Sequence, residues 1–507
     1  MKPLRNSLLL ALTLLAPAAS AQTDVRELYQ AKCAACHGGD RFGAIGPALL
    51  PDNLGRLGQA GAEKVIREGR PATQMPAFGA EISEADAKAL AAFVYSKPEK
   101  TPVWGAAEIM ATRVLTPAPA QDKPSYTADP LNLFVVVEGG DHHVTILDGD
   151  KFEPIHRFQS RFALHGGPKF TADGRYVFFG SRDGWITKFD LYALKVVAEA
   201  RAGVNTRNIA LSKDGRHVAV ANYLPNTLVV LSANDLSVVK IFAAGDARGQ
   251  TSRVSAVYQA PDRHSFIAAL KDAPEIWEIA TSPETPKVAP GFASADGGPF
   301  ALRRMSTSEP LDDFFFDPGY RHLIGASRDG GRGVVVDLAS GRETATIPLP
   351  GMPHLGSGVS WLREGRRVIA TPHLKEGKIS VIDAQDWSVV RVLDTGGPGF
   401  FMRTHEKTPF VWTDSFLSPK NKDLIQIVDK TSLEIVKTMK PAPGKTTGHV
   451  EFDRSGRHAL VSVWEMDGAL IVYDATTFQE VKRLPMSKPV GKYNVFNKIN
   501  FSEGTSH

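Results

Sequence analysis

The two cysteines of this chain lie three residues apart, in the sequence Cys33-Ala34-Ala35-Cys36-His37. Two thiols at this spacing can both add to the vinyl groups of one haem, and the histidine that follows can bind its iron. The pattern therefore predicts a covalently attached c-type haem. The alternative is a redox-active dithiol, which would leave His37 without a role.

A methionine follows in the sequence Arg70-Pro71-Ala72-Thr73-Gln74-Met75-Pro76. A thioether opposite an imidazole raises the potential of a haem into a range that suits electron transfer. We therefore predict that His37 and Met75 bind the iron of one haem c, which Cys33 and Cys36 hold covalently. Core packing is the alternative role for Met75.

The first 21 residues have the features of a secretory signal. Lys2 and Arg5 precede the apolar run Leu8–Ala16, and small residues follow at Ala19-Ser20-Ala21. The run of about nine residues is shorter than the roughly 20 that span a bilayer, so an uncleaved anchor is the less favoured alternative. The sequence therefore predicts export to the periplasm, where c-type haem is attached, and no membrane span in the mature chain.

The composition is that of a folded protein with many turns. Lys and Arg number 59 and Asp and Glu number 55, which is too balanced for a nucleic-acid-binding protein. Hydrophobic residues make up 43% and charged residues 22%, as in globular domains. The 45 glycines and 34 prolines exceed their usual combined share of about 12%, which favours many short strands.

The region 22–100 has the pattern of a small helical domain. Helices are predicted over 25–33 and 61–69, and Ser83-Glu84-Ala85-Asp86 forms a capping box that begins a helix reaching Tyr95. The segment Ile45–Leu49 resembles the haem-edge loop of class I c-type cytochromes. We expect an all-α class I c-type cytochrome domain, followed over 101–125 by a linker rich in Pro and Ala.

A β unit recurs from residue 126 to residue 507. Its turn sequence appears in Thr171–Phe178, Leu211–Val218 and Phe452–Ala459, and successive turns lie about 41 to 56 residues apart. Such a period is typical of propeller blades, each a four-stranded sheet around a central channel. The sequence predicts an all-β eight-bladed propeller, with seven blades as the alternative count.

Histidine and arginine recur in loops between these strands. They are His165, Arg182, Arg207, His354 and His449. An imidazole binds metals, and a guanidinium group binds a carboxylate through two parallel hydrogen bonds. One histidine in such a loop is more often structural, but several together with arginines indicate a site for an iron-containing tetrapyrrole with carboxylate groups.

A c-type cytochrome domain followed by an eight-bladed propeller resembles the cytochrome cd1 family, whose propeller holds haem d1. The resemblance extends over nearly the whole mature chain and includes the closing-strand sequence Gly491–Asn497. It implies that His165 is the proximal ligand of haem d1. It also implies that Arg182, Arg207 and Tyr223 contact haem d1 and its carboxylates.

Departures from the family pattern distinguish its branches. Nitrite-reducing members carry two distal histidines, one matching His354, whereas the other falls on Asp312 in this chain. His449 stands where those members have Gln, and its combination with Tyr493 resembles the branch that oxidises dihydro-haem d1 to haem d1. The resemblance then implies that His449 accepts a proton, that Tyr493 orients the substrate and that haem c receives the electrons.

Two other functions stay open from the sequence. One is a cytochrome cd1 nitrite reductase, and the other is a non-catalytic carrier of haem d1 or its precursor that also relays electrons. The expected partners are a small c-type cytochrome or another periplasmic electron acceptor, and a nitrite reductase that receives haem d1. The roles of three residues also stay open from the sequence. His449 is either the proton acceptor or a structural loop residue, and Tyr493 either orients the substrate or is a core aromatic. His354 is either an iron ligand or a proton-transfer group.

Overall fold

The computed structural model describes residues 24–500 except 45, 56, 71–74, 118–120, 286–288, 290, 294–298 and 327–330. The predicted signal segment 1–21 lies outside these ranges. Within them, every helix is too short or too polar to cross a membrane.

Short helices form the first part of the chain. They are α1 (Val25–Lys32), α2 (Ala34–His37), α3 (Pro51–Leu54), α4 (Gln59–Glu68), α5 (Glu84–Val94) and α6 (Ala106–Ala111). The predicted cap of α5 is confirmed, since Ser83 Oγ accepts a hydrogen bond from the Asp86 amide at 3.1 Å. Tyr29 of α1 and Leu90 of α5 are buried together, so these two helices enclose the core of the domain.

The rest of the described chain forms eight antiparallel sheets arranged as propeller blades. From the inner strand outward, blade 1 contains β33 (Pro489–Asn494), β2 (Leu133–Glu138), β3 (His143–Asp148) and β4 (Glu153–Gln159). Blade 2 contains β5 (Lys169–Phe170), β6 (Tyr176–Gly180), β7 (Trp185–Asp190), β8 (Lys195–Arg201) and β1 (Val114–Leu115). Blade 3 contains β9 (Asn205–Leu211), β10 (His217–Leu224), β11 (Thr227–Ser232) and β12 (Val238–Ala243). Blade 4 contains β13 (Val254–Ala260), β14 (Ser265–Leu270), β15 (Glu275–Ala280) and β16 (Leu302–Ser306).

The remaining blades repeat the same order. Blade 5 contains β17 (Asp313–Phe316), β18 (His322–Ala326), β19 (Arg332–Asp337) and β20 (Arg342–Pro348). Blade 6 contains β21 (Val359–Arg363), β22 (Arg366–Pro372), β23 (Lys378–Asp383) and β24 (Val389–Asp394). Blade 7 contains β25 (Met402–Thr404), β26 (Phe410–Asp414), β27 (Ile425–Asp429) and β28 (Ile435–Met439). Blade 8 contains β29 (Thr447–Phe452), β30 (His458–Val463), β31 (Gly468–Asp474) and β32 (Glu480–Met486), and helix α7 (Val495–Asn500) follows β33.

Burial within a blade follows from its position between two neighbours. All six residues of β2 are buried, because sheets pack against both of its faces, whereas outer strand β20 alternates exposed and partly buried residues along most of its length. Aspartates close the turn that leads to the outer strand. Asp190 Oδ1, for example, accepts the amides of Tyr192 and Ala193 at 2.8 and 3.2 Å. These turns explain why Asp recurs at the ends of the third strands.

The last strand closes the ring. In β33, Tyr493 pairs with Val135 of β2 and Lys492 pairs with Val136. The C-terminal strand is therefore the inner strand of blade 1, and the ring leaves no open edge between its first and last blades. The predicted eight-bladed propeller is confirmed.

The segment predicted as a linker lies along blade 2. It contains α6 and β1, and Val114 of β1 pairs with Glu199 of β8. Trp104 Nε1 donates a hydrogen bond to the carbonyl of Arg201 at 2.7 Å. These contacts hold part of the 101–125 segment against the propeller.

Candidate active site

The predicted propeller residues gather where the inner strands begin. In blades 2 to 8 the inner strand precedes the three strands outward of it in the blade, so the starts of these inner strands meet at one end of the central channel. His165 lies just before β5, Arg207 is in β9, His354 precedes β21, and His449 is in β29. The ring thus brings together side chains that are far apart in the sequence.

His165 is held by one ring nitrogen and presents the other. Its Nδ1 lies 2.8 Å from the carbonyl of Arg207, so Nδ1 is the donor and Nε2 carries the lone pair of the ring. Arg182 Nη2 and Arg207 Nη1 lie 3.2 and 3.1 Å from Nε2. A fixed imidazole nitrogen beside two guanidinium groups fits an iron macrocycle that carries carboxylates.

His354 belongs to the same site. Its Nδ1 lies 2.6 Å from the carbonyl of Phe400, and its Nε2 lies 3.9 Å from Asp313 Oδ2. Burial lowers the pKa of His354, and the nearby guanidinium of Arg207 lowers it further. The imidazole is therefore neutral at pH 7 and lies within electrostatic reach of the His165 group.

Tyr223 and Asp312 lie beside further cations. The Tyr223 ring centroid is 5.4 Å from the Arg253 guanidinium carbon and 5.7 Å from Lys271 Nζ. Asp312 forms an ion pair with Lys271. The position that the resemblance matches to a distal histidine of nitrite-reducing members thus carries a carboxylate paired with Lys271.

His449 is a buried imidazole in a strained backbone position. It has φ = 53°, at the bulge where the register between β29 and β30 shifts. Its side chain packs against the rings of Phe401 and Tyr493, with centroids 4.7 and 5.0 Å away. Its Nδ1 is buried and has no hydrogen-bond partner among the described residues. Such an orphaned nitrogen fits a polar group of a bound substrate.

The charge state of His449 follows from its surroundings. Burial lowers its pKa well below the usual value, and the nearby Lys492 and Lys498 lower it further. The imidazole is therefore neutral and has a lone pair with which to accept a proton.

Asp414 positions His449, and no sequence pattern pointed to it. Its Oδ1 accepts the amide of Phe400 at 2.8 Å, and its Oδ2 accepts the amide of His449 at 3.3 Å. Burial raises the pKa of Asp414 to about 6. Because Phe400 also bonds His354, this carboxylate connects the two histidines through the backbone.

Gly491 permits the observed position of Tyr493. The two residues lie on one face of β33, and the tyrosine ring leans back over the glycine. A Cβ atom at position 491 would lie 2.6 Å from Tyr493 Oη, which is too close for an unaltered ring position. Burial raises the pKa of Tyr493 above its usual value, so the hydroxyl keeps its proton.

The cytochrome region presents the groups that a covalent haem requires. The thiols of Cys33 and Cys36 are free and lie where α1 meets α2. His37 is buried, and its Nδ1 lies 2.8 Å from the carbonyl of Pro47, which leaves Nε2 available to iron. Met75 is half-buried, whereas the four residues before it lie outside the described ranges. These donors fit a c-type haem.

The loop after the haem motif docks beside the propeller site. Arg201 of β8 donates Nη2 to the carbonyl of Phe42 at 2.6 Å and Nε to the carbonyl of Asp183 at 2.8 Å. Leu50 packs with Val204 in a shared apolar cluster. Asp183 follows Arg182, so one arginine connects the cytochrome loop with the loop that reaches His165.

Comparison with known proteins identifies the family. The family described as Cytochrome D1 heme domain matches residues 128–498. This chain belongs to it. A second family, described as Cytochrome C oxidase, cbb3-type, subunit III, matches residues 20–94, so the cytochrome and propeller parts are both confirmed.

Individual relatives resemble the chain over its full length. A dihydro-heme d1 dehydrogenase of Pseudomonas aeruginosa is 56% identical, with 99% of each chain covered. A solved structure described as dihydro-heme d1 dehydrogenase NirN in complex with DHE has a TM-score of 0.88 and 56% identity, covering 93% of this chain and 99% of that one. A nitrite reductase of Stutzerimonas stutzeri is 23% identical, covering 94% of this chain and 92% of its own.

Proposed function

We propose that this chain is a periplasmic oxidoreductase that dehydrogenates a propionate of dihydro-haem d1 to the acrylate of haem d1. The observation that carries the proposal is the buried His449 with its unpartnered Nδ1 against Tyr493. This pair stands at the end of the channel where His165 and two arginines gather. The 56% identical relative that bears the name of this activity supports the same assignment.

The chemistry needs a proton acceptor and an electron acceptor. The side chain –CH2–CH2–COO⁻ becomes –CH=CH–COO⁻ and releases two protons and two electrons. His449 accepts one proton at Nδ1, because its imidazole is neutral before the reaction, and the second proton passes to solvent. Tyr493 keeps its own proton and orients the substrate through its ring and hydroxyl.

Binding rearranges the guanidinium groups around His165. In the structure, Arg182 and Arg207 both contact His165 Nε2, the atom that would bind the substrate iron. Each guanidinium group therefore moves from the imidazole to a substrate carboxylate, where it forms stronger, charge-assisted hydrogen bonds. Tyr223 and His354 complete the contacts with the macrocycle.

Electrons leave through the cytochrome domain. Cys33 and Cys36 would hold haem c, with His37 and Met75 as its iron ligands, and the bound group would supply one-electron redox chemistry. The docked Phe42 loop places this domain beside the Arg182 loop. A small c-type cytochrome or another periplasmic acceptor then oxidises the domain, and the product passes to a nitrite reductase.

Anaerobic incubation of the purified protein with dihydro-haem d1 tests the proposal. One haem c takes up only one of the two electrons, so an excess of oxidised small c-type cytochrome is added as the final acceptor. We expect the pigment to lose two hydrogens by mass spectrometry while haem c and the added cytochrome become reduced. A bound pigment of unchanged mass would support a carrier instead. Rapid formation of nitric oxide from nitrite would support a nitrite reductase.

Gly491→Ala tests the position of Tyr493. The new methyl group would displace the hydroxyl, and a displacement of about 1 Å in a positioning group can lower a rate by about 100-fold. We expect single-turnover conversion to slow to this extent while pigment uptake stays as in the wild type. The control is Gly331→Ala, where a Cβ atom would meet no neighbour within 4 Å. Equal rates for both variants would contradict the role of Tyr493.

Arg201→Met tests the contact between the domains. It removes the hydrogen bonds to Phe42 and Asp183, each of which stabilises by about 0.5–1.5 kcal/mol. We expect slower reduction of haem c in stopped-flow absorption, with pigment uptake unchanged. Arg216, an exposed residue before β10, provides the matched control variant Arg216→Met. An unchanged rate in Arg201→Met would show that this contact does not support electron transfer.

A further inference from the structure

Buried cations outnumber the carboxylates around His449 and Tyr493. Arg403 of β25, Lys492 of β33 and Lys498 of α7 are 8%, 0% and 9% exposed. Lys169 at the start of β5 adds a fourth cation near Lys498. Glu451 and Asp414 are the carboxylates that act on this group.

These cations have more hydrogen-bond donors than acceptors around them among the described residues. Lys492 Nζ donates to Ser462 Oγ at 2.9 Å, its one hydrogen bond within the described ranges. Lys498 Nζ lies 5.3 Å from the Tyr493 ring centroid. Among the residues that the structure describes, no oxygen accepts a hydrogen bond from this ammonium group. Arg403 donates Nε to Glu451 Oε1 at 3.0 Å, and its terminal nitrogens have no acceptor among the residues described.

The two carboxylates are already engaged. Glu451 Oε1 accepts Arg403 Nε, Asn497 Nδ2 at 3.1 Å and the amide of Phe452 at 2.9 Å. Asp414 accepts backbone amides. Burial therefore lowers the pKa of Lys492 and of Lys498 well below the usual value, because little negative charge compensates them. A bound anion would supply that charge.

We infer that Lys498 and Arg403, with Lys492 behind them, form a binding site for the carboxylate of the substrate side chain that is dehydrogenated. This inference rests on the proposed function, which places that side chain beside His449. Lys498 contacts the ring of Tyr493, and Tyr493 contacts His449, so a carboxylate at Lys498 lies next to the proton acceptor. Arg182 and Arg207 belong to other blades and serve other carboxylates.

The site would select the reacting side chain and assist its chemistry. Cations on the carboxylate stabilise the negative charge that develops when a proton leaves the adjoining carbon. The carboxylate in turn offsets the positive charges of Lys492 and Lys498, which raises the pKa of His449 and makes it a better base. The ion pair between the substrate carboxylate and the lysines thus favours loss of the proton from the substrate carbon and its acceptance by His449.

A binding cycle tests the site without relying on turnover. The affinities of the wild type and of Lys498→Met are measured by pigment absorption for haem d1 and for its fully methyl-esterified form. In the wild type, esterification weakens binding. We expect the ratio of the two dissociation constants to fall at least tenfold in Lys498→Met, because the variant no longer recognises that carboxylate. Methionine fills the space of a buried unpaired cation, so we expect a melting temperature no lower than that of the wild type.

The binding cycle has a matched control variant, and each contrary result has its own meaning. Lys482→Met, on outer strand β32, should keep the wild-type ratio. An unchanged ratio in Lys498→Met would overturn the inference. If, in addition, sodium acetate strengthens binding of the ester in the wild type but not in Lys498→Met, the site holds a free anion instead. A ratio that falls as expected while the wild type leaves the mass of dihydro-haem d1 unchanged would retain the site and reject the dehydrogenase.

Discussion

His449→Gln is expected to slow dehydrogenation of dihydro-haem d1 by about 10²–10⁴-fold, the range for loss of a general base. Glutamine has a similar length and can form hydrogen bonds, but it does not accept a proton at neutral pH. The backbone bond from residue 449 to Asp414 remains, so the site keeps its shape. The rate is measured in a single turnover by the mass of the pigment and by reduction of haem c.

Two controls separate chemistry from binding in this experiment. Pigment uptake by His449→Gln should match the wild type, because iron binding is assigned to His165. His322→Gln, in β18, removes an imidazole that contacts Asp317 and should convert the pigment at the wild-type rate. Conversion by His449→Gln at nearly the wild-type rate would remove its assignment as the base.

His165→Ala is expected to weaken pigment binding by at least about 100-fold. Loss of a group that only supports a metal ligand already lowers affinity by about 10–100-fold, and His165 is the proposed ligand itself. The variant also leaves the carbonyl of Arg207 without its imidazole donor. Titration followed by absorption gives the affinity, and electron paramagnetic resonance of the oxidised pigment gives the iron coordination.

Added imidazole distinguishes ligand loss from misfolding in His165→Ala. Free imidazole can enter the vacated space and should restore both the affinity and the spectrum of the bound iron. A variant with undiminished affinity and unchanged coordination would show that another residue binds the iron. The haem c spectrum should stay the same in every case, because its ligands lie in the other domain.

The cytochrome domain could be predicted from the sequence because its determinants are local. The thiols and His37 lie within five consecutive residues, and helix α5 begins at a cap whose two partners are three residues apart. The blades could be predicted for a related reason. In six of the eight described blades the third strand ends in an aspartate whose hydrogen bonds to backbone amides reach only two or three residues along the chain.

The residues of the propeller site were found partly from the sequence and partly from the structure. The recurrence of histidine and arginine in the loops singled out His165, His354 and His449, and the resemblance to the family added Tyr493 and the proposed roles. The pattern gave no indication of Asp414, because a carboxylate that accepts backbone amides needs no particular neighbours in sequence. Nor did composition reveal the excess of buried cations, since the chain as a whole carries only +4.

What the sequence alone determined is the chemistry and the repeat that short spacing can encode: the haem attachment motif and the recurring blade. Only the tertiary structure decided which groups meet. Lys492 and Tyr493 reach His449 because the last strand joins the first blade, and that closure brings together residues from both ends of the propeller. Burial then lowers the pKa of Lys492, since a lysine that would be solvated on a surface strand is buried here with little compensating negative charge.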